Sequence, residues 1–193
     1  MKVFKVKSDL RDYQSLCFEK EREERGLEDP YFECQSRLEN WIMPDIYCDS
    51  PECKRGNFFY LFGIPGAFVL DTHAKVELAD LLEPAGELLP FYLDDEPMYL
   101  FNILECLNVL NEEKSDCTYF KSTKRLQEIN KYTFNRKGFN DTTLFKIPET
   151  SRTDMYTYTG MGKRLEDTFK GRVEKCGLTG LIFTEIWDDG VDD

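Results

Sequence analysis

A helix pattern and a hairpin pattern follow one another in the stretch DTHAKVELADLLEPAGELLPFYLDDEPMYLFNI, residues 71–103. Asp71 is placed to cap a helix whose apolar residues recur at helical spacing, and a proline and a glycine then end that helix. Two β-rich runs follow, at 87–93 and 98–103, and the turn signal Asp94-Asp-Glu-Pro97 separates them. A helix followed by a hairpin of adjacent strands is typical of an α+β fold.

Strand patterns recur along the rest of the chain, at residues 2–7, 125–134, 144–147, 155–158 and 180–187. A second helix is predicted over 162–175, with Gly177 at its C-terminal cap. Residues 30–56 contain Trp and Pro with little periodicity and are predicted to be irregular, and the charged run 19–25 is predicted to be a solvated helix or loop edge. Because strands and helices are segregated, we expect one α+β domain over residues 1–193, with a mostly antiparallel sheet and two or more packed helices.

The charge balance is strongly acidic, with 25 basic against 37 acidic residues and a formal net charge of −12. A field of this sign repels the phosphates of nucleic acids and of anionic membranes, so neither is an expected partner. The same field accelerates encounter with a protein that presents a basic surface. The alternative is that the acidity serves only solubility.

The expected location is the cytoplasm. Residues 1–7 alternate apolar and basic side chains and lack the apolar core of a secretion signal. The longest apolar stretch, residues 58–70, is interrupted by Gly and Pro and is too short to cross a bilayer. Seven cysteines at irregular spacing do not form a disulfide pattern, and reduced thiols fit a cytosolic protein. Three of them, Cys106, Cys117 and Cys176, are predicted to be small core residues.

No residue pattern in the sequence indicates a catalytic site. His73 is the one histidine, and it falls in the first turn of the predicted helix, where the positive end of the helix dipole disfavours a protonated imidazole. No nucleophile-elbow motif accompanies it. The chain is therefore expected not to be an enzyme and to need no cofactor.

A metal site is an open alternative. Cys48 and Cys53 have the C-x4-C spacing, and Cys34 and His73 could complete a zinc site with them. Structural zinc normally shows two tight ligand pairs, whereas this sequence contains one. Two incidental thiols in a loop are the favoured interpretation.

Two acidic clusters are candidates for binding a partner, one at the hairpin turn and one near the C-terminus. Trp187 stands beside carboxylates and would be an anchor against a basic surface. The alternative is that Trp187 closes the core and that the tail after it is frayed. Trp41 is open to the same two interpretations. The candidate partner-binding residues are Asp94, Asp95, Glu96, Trp187, Asp188 and Asp189.

Several landmarks, taken in order, resemble a known family. Phe145-Lys-Ile-Pro-Glu149 is followed by Met155-Tyr-Thr-Tyr158, a helix, and the closing run Gly177-Leu-Thr-Gly-Leu-Ile-Phe-Thr-Glu-Ile-Trp187. This order resembles the C-terminal half of bacterial immunity protein family eleven, formerly a domain of unknown function, and earlier landmarks extend the resemblance over nearly the whole chain. These are Asn40-Trp41, Gly56-Asn-Phe58, the helix at 73–82, Gly86-Glu-Leu-Leu-Pro90, Tyr99-Leu-Phe-Asn102 and the turn Glu112-Glu-Lys-Ser115. The cysteine-rich segment 34–53 departs from the usual pattern of the family.

The resemblance implies a role in polymorphic toxin systems, where a small cytosolic protein binds a cognate toxin domain and blocks it. It supplies no catalytic residues. We therefore expect a cytoplasmic immunity protein that neutralises a toxin by stoichiometric occlusion, through an acidic surface that contains aromatic residues. The alternatives are an enzyme that reverses a toxin's covalent modification and a small zinc-containing adaptor. The identity of the toxin and the oligomeric state stay open at this point.

Overall fold

The computed structural model describes residues 1–19, 32–123 and 125–191. Strands account for 39% and helices for 16%, which is compatible with an α+β fold. The strands are β1 (Lys2–Ser8), β2 (Ser15–Phe18), β3 (Ile46–Cys48), β4 (Phe58–Leu61), β5 (Ala67–Asp71), β6 (Gly86–Leu93), β7 (Glu96–Ile103), β8 (Asp116–Tyr119), β9 (Leu126–Lys131), β10 (Leu144–Phe145), β11 (Met155–Thr159) and β12 (Leu181–Asp188). The α-helices are α1 (Thr72–Glu77), α2 (Ala79–Leu82) and α3 (Phe169–Lys175).

The strands form two larger sheets and a separate hairpin. The four-stranded sheet has the order β10-β11-β1-β12, and β1 pairs antiparallel with both of its neighbours. The six-stranded sheet has the order β3-β2-β4-β5-β7-β6. Its β2–β4 pair is parallel, whereas its other neighbouring strands run antiparallel. The hairpin consists of β8 and β9.

The six-stranded sheet curls, so that its two edge strands, β3 and β6, lie against each other. Alternate residues along its strands point to the enclosed face and form one buried cluster there. Leu16 and Phe18, near the start of the chain, and Phe32 are also part of this cluster. Its members include Leu16, Phe18, Phe32, Ile46, Phe59, Val69, Leu89, Phe91 and Leu100.

The opposite face of the six-stranded sheet packs against the helices and the four-stranded sheet. Phe58 and Phe68 lie on this face, one residue out of phase with the enclosed residues, and their ring centroids are 5.4 Å apart in an edge-to-face contact. Phe169 of α3 stacks on Phe68, and Val6 of β1 belongs to the same cluster. A third cluster covers the other face of the four-stranded sheet and includes Val3, Phe134, Phe139, Phe145, Tyr156 and Tyr158.

Asp71 caps the first helix, as the sequence predicts. Its carboxylate accepts a hydrogen bond from the backbone N–H of Ala74 at 2.7 Å, and its other oxygen accepts one from the side chain of Asn57 at 2.9 Å. The predicted helix is divided at Leu78, which is buried between α1 and α2. None of the helices in the described residues is long and apolar enough to cross a membrane.

Helix α3 corresponds to the helix predicted over 162–175 and is shorter than that prediction. It begins after Thr168, whose hydroxyl accepts a hydrogen bond from the backbone N–H of Gly171 at 3.3 Å, and a short 3-10 turn precedes it. Thr is favoured at the N-cap of a helix and disfavoured in its interior, which explains why the helix begins after Thr168. A Cβ at Gly171 would stand 1.9 Å from the carbonyl oxygen of Leu165, so this tight entry requires glycine. Gly177 ends the helix with a φ of 65°, as predicted.

Several elements differ from the sequence prediction. β2 and β3 were not predicted because they are short and pair with residues distant in the chain. The apolar stretch 58–70 contains β4 and all of β5 except its last residue. The strand predicted at 125–134 is shorter in the structure, where it is β9, and its pairing with β8 has register shifts. The three cysteines predicted to be core residues are only partly buried. The predicted solvated run at 19–25 lies, apart from its first residue, outside the described residues.

Candidate interaction surface

The first acidic candidates lie at the exposed tip of the β6–β7 hairpin. Asp94 and Asp95 form its two-residue turn with φ values of 51° and 65°, the left-handed geometry of a type I′ turn. Asp is among the few residues other than Gly that adopt this region readily. Glu96 begins β7 and forms an ion pair with Arg55. All three acidic residues are exposed to solvent.

The second acidic candidates fasten the end of β12 to the start of β1. Asp189 accepts a hydrogen bond from the α-amino group of Met1 at 2.8 Å and forms an ion pair with Arg136 at 3.2 Å. Asp188 is exposed, and its carboxylate lies 3.4 Å from the ammonium of Lys2. Burial alone would raise the pKa of Asp189, but the hydrogen bonds that it accepts and the neighbouring positive charges hold that pKa below its ordinary value.

Trp187 packs against a core cluster. Its ring is half-buried and meets the ring of Phe134 edge-on, with 5.6 Å between the centroids. It belongs to the four-stranded sheet, whereas the hairpin turn at 94–96 belongs to the six-stranded sheet. Within the described residues, no hydrogen bond or ion pair joins the two groups of candidates. The six candidates therefore form two separate groups.

The segment at 35–43, which the sequence predicts only as irregular, is fixed to the edge of β6. The carboxylate of Glu87 accepts hydrogen bonds of 2.6 Å from the hydroxyl of Ser36 and from the backbone N–H of Arg37. The buried amide of Asn102 donates to the same carboxylate at 2.8 Å and to the carbonyl of Gln35 at 2.9 Å. These bonds hold the segment along the strand edge.

Trp41 makes the next contact with that edge. Its indole N–H donates to the carbonyl oxygen of Pro90 at 2.8 Å, and its ring packs on the margin of the enclosed core. Because β6 is an edge strand, Pro90 is tolerated there although it has no N–H to donate. The carbonyl of Pro90 accepts the hydrogen bond from the indole. The contact places Trp41 at the edge of β6.

Exposed apolar side chains lie close in sequence to the two partners of this contact. Ile42 is 62% exposed, Met43 51%, Leu38 57% and Tyr92, two residues beyond Pro90 on the same face of β6, 57%. We call this set the Trp41 surface, and it consists of Leu38, Trp41, Ile42, Met43, Pro90 and Tyr92. Exposed apolar side chains on two segments that a hydrogen bond joins are candidates for an interaction site.

Carboxylates border the Trp41 surface. Asp94 and Asp95 follow Tyr92 closely at the end of the same strand, and Glu39 lies within the 3-10 turn that leads into Trp41. All three are exposed. The surface therefore has an apolar centre and an acidic margin. Of the predicted residues at the hairpin turn, Asp94 and Asp95 belong to this margin. Of the apolar centre, the sequence indicates only Trp41, as an anchor or as a core residue.

One sequence signal would have pointed to the apolar centre. Trp41, Ile42 and Met43 are consecutive apolar residues in a segment without helical or strand periodicity, and such residues have no regular face to bury. Their contact with β6 could not be read from the sequence, because Trp41 and Pro90 are far apart in the chain.

The residues considered for catalysis and metal binding are separated in the fold. His73 is exposed at the start of α1. The pKa of Cys34 is raised mainly by its interaction with Cys106, and this places Cys34 near the end of β7. Among the residues that the structure describes, no group of three or more His, Cys, Asp or Glu side chains is arranged to hold a metal ion.

Comparison of the chain with protein-family models and with curated proteins finds no match.

Proposed function

We propose that this chain is a cytoplasmic immunity protein that binds a cognate bacterial toxin domain and neutralises it by stoichiometric occlusion. The observation that carries the proposal is the Trp41 surface, an exposed apolar area with an acidic margin at the edge of β6. The ordered landmarks that resemble immunity protein family eleven support the same function. In this proposal the chain acts by contact alone.

The two parts of the surface suit different steps of binding. Ile42 and Tyr92 offer apolar area that a partner would remove from water, and buried aromatic anchors near the centre of an interface supply most of its affinity. Asp94 and Asp95 lie at the margin, where charges mainly set the association rate and the choice of partner. With a net charge of −12, the chain favours a partner with a basic surface.

We also propose that residues 1–193 act as one domain. Val6 of the four-stranded sheet, Phe58 and Phe101 of the six-stranded sheet and Phe169 of α3 share a single buried cluster. Separation of the sheets would expose this cluster to water, so the support for one cooperative unit is the shared apolar core.

The test is a calorimetric titration of the chain against the catalytically inactivated toxin domain encoded by the neighbouring gene. We expect tight binding at one to one. The double variant Ile42→Ala, Tyr92→Ala should raise the Kd at least about thirtyfold, since loss of a hot spot costs about 2 kcal/mol.

The matched control is the double variant Val76→Ala, Leu165→Ala, which truncates two apolar side chains that are 66% and 58% exposed elsewhere on the chain. Its Kd should equal that of the native chain. Equal affinities for the two double variants would contradict the proposed surface. Protection of cells from the toxin without any binding would contradict the proposed function and favour an enzyme that reverses the toxin's modification.

A further inference from the structure

Three segments that are distant in sequence meet around two cysteines. Cys34 lies in a tight turn closed by a backbone hydrogen bond of 2.7 Å. Cys106 follows β7, and its backbone runs beside Lys146 in a parallel bridge with hydrogen bonds of 2.9 Å on either side. Arg152 lies in a second tight turn, closed by a backbone hydrogen bond of 3.1 Å. Both thiols are free and partly accessible to solvent.

The two thiols lie close to each other. The amide of Asn102, four residues before Cys106, donates to the carbonyl of Gln35 at 2.9 Å, which brings the Cys34 turn to the end of β7. The interaction with Cys34 is the main reason that the pKa of Cys106 is lowered to about 6, and the guanidinium of Arg152 adds to this effect while burial opposes it. The same interaction, together with burial, raises the pKa of Cys34. Cys106 therefore loses its proton more readily than Cys34.

Lys146 adds a second cation to the site. The residue is completely buried, and its ammonium has no hydrogen-bond partner among the residues that the structure describes. Burial lowers the pKa of Lys146, and the two thiols counteract that effect. A buried ammonium is costly unless an anion lies nearby, and the Cys106 thiolate is such an anion.

Backbone geometry holds the groups in place. A Cβ at Gly66 would stand 3.0 Å from the ammonium of Lys146 and 3.0 Å from the carbonyl oxygen of Arg152, so the position needs glycine for both groups to approach. Cys34 and Arg152 have φ values of 60° and 56°, in the left-handed region that non-glycine residues adopt only where the surroundings hold them. The site is thus built by strained turns around a fixed thiol pair.

We propose that Cys34 and Cys106 form a peroxide-reactive dithiol centre that is oxidised to an intramolecular disulfide. The Cys106 thiolate attacks the terminal oxygen of a hydroperoxide, so that an S–O bond forms, the O–O bond breaks, and the departing alkoxide takes a proton from solvent. Cys34 then attacks the sulfenic sulfur. The S–S bond forms, the S–O bond breaks, and the hydroxyl leaves as water with the proton of Cys34. The two thiols lose two electrons, and the peroxide gains them.

This centre shares no residue with the Trp41 surface, and its chemistry does not depend on the proposed toxin binding. The cations beside Cys106 stabilise the attacking thiolate, and the contact with Cys34 places the resolving thiol next to the sulfenic acid that forms. Cys117 and Cys176 lack this arrangement, and burial, the main cause in each, raises the pKa of both thiols. They are internal references for reactivity within the same chain.

The test is treatment of the purified full chain with hydrogen peroxide at pH 7, followed by peptide mass spectrometry. We expect a disulfide between the peptides that contain Cys34 and Cys106, formed on the order of tenfold faster than oxidation of Cys117 or Cys176. In Cys34→Ser, dimedone should label Cys106 as a sulfenic acid. In Cys106→Ser, Cys34 should stay unmodified.

Cys117→Ser is the matched control and should form the disulfide at the native rate. Arg152→Gln keeps the thiol pair but removes the cation that lowers the pKa of Cys106, and it should slow oxidation several-fold without changing the melting temperature. Uniform oxidation of all the cysteines, or a disulfide between a different pair, would overturn the proposal. An unchanged rate in Arg152→Gln would contradict the stated role of the cation.

Discussion

Asp188 and Asp189 are adjacent in sequence and differ in what they contact. The Asp189 side chain is 10% exposed and binds the α-amino group of Met1, whose side chain is fully buried. Asp188 is 40% exposed at the side chain and lies near Lys2 in a surface pair. Exposed pairs of the second kind contribute little to stability, whereas a charged hydrogen bond at a partly buried site contributes more.

This contrast predicts different effects of two similar substitutions. Asp189→Asn should lower the free energy of unfolding by about 1–3 kcal/mol, because it leaves the Met1 α-amino group without its anion. Asp188→Asn should change the free energy by less than about 0.5 kcal/mol. Urea denaturation of both variants at pH 7 measures the difference. Equal losses would contradict the assignment of Asp189 as the anchor of the N-terminus.

The pH dependence of Asp189 follows from the direction of its pKa shift. Its pKa in the folded chain is depressed, so its stabilising effect is present above the unfolded pKa of about 3.9 and is lost as the pH falls through the folded pKa. The native chain and Asp189→Asn should therefore converge in stability under acid conditions. A gap between them that stays constant from pH 7 to pH 3 would contradict this linkage.

Alkylation tests the ionisation of Cys106. Its lowered pKa means that the thiolate persists as the pH falls, so the rate of reaction with iodoacetamide should reach half of its plateau near pH 6, where the pKa lies at about 6. Cys34→Ala removes the largest cause of the shift and should move the midpoint upward. The other groups that face these thiols are Arg152, Lys146 and Glu149. A native midpoint near about 8.5, the ordinary value for cysteine, would contradict the assignment.

At the scale of single elements, substitutions in the β6–β7 turn can distinguish the backbone conformation of Asp95 from the role of its carboxylate in binding. Asp95 has a φ of 65°, which costs an alanine about 1 kcal/mol and costs a glycine almost nothing. Asp95→Ala should therefore destabilise the chain by about 1 kcal/mol, while Asp95→Gly should stay within about 0.5 kcal/mol. Both variants lose the carboxylate and should weaken toxin binding equally. Thermal unfolding and titration calorimetry together check the two effects.

The elements that the sequence predicts well are those defined by neighbouring residues. The β6–β7 hairpin combines a turn signal with strand patterns on both sides, and α1 begins at the Asp71 cap. The elements that the sequence does not predict pair with residues that are far away in the chain. β2 pairs with β3 and β4, and Trp41 reaches Pro90, so neither contact leaves a local pattern. The contact between Cys34 and Cys106 is hidden from the sequence for the same reason.

At the scale of the whole molecule, the net charge of −12 predicts how association depends on salt. Raising the ionic strength should slow the association with a basic toxin, because screening shortens the range of the attraction. The double variant Asp94→Asn, Asp95→Asn should reduce the association rate several-fold at low salt. Stopped-flow measurements at several salt concentrations would show both effects.

A second pair of substitutions controls for net charge. The double variant Glu113→Gln, Asp116→Asn also removes two negative charges, but from exposed positions at the start of the β8–β9 hairpin. Because these positions are outside the acidic margin of the Trp41 surface, the association rate should fall much less than in the Asp94 and Asp95 variant. Equal rates for the two charge-matched variants would show that only the total charge matters and would contradict the proposed margin.

The most direct test of the proposed function is a titration of toxin activity with this chain. A fixed concentration of active toxin domain, well above the Kd, is mixed with increasing amounts of the chain, and the remaining toxin activity is measured at once. Stoichiometric occlusion predicts a linear decline that reaches zero at one equivalent. Complete loss of activity at a small fraction of an equivalent, or full activity beyond one equivalent, would contradict the account.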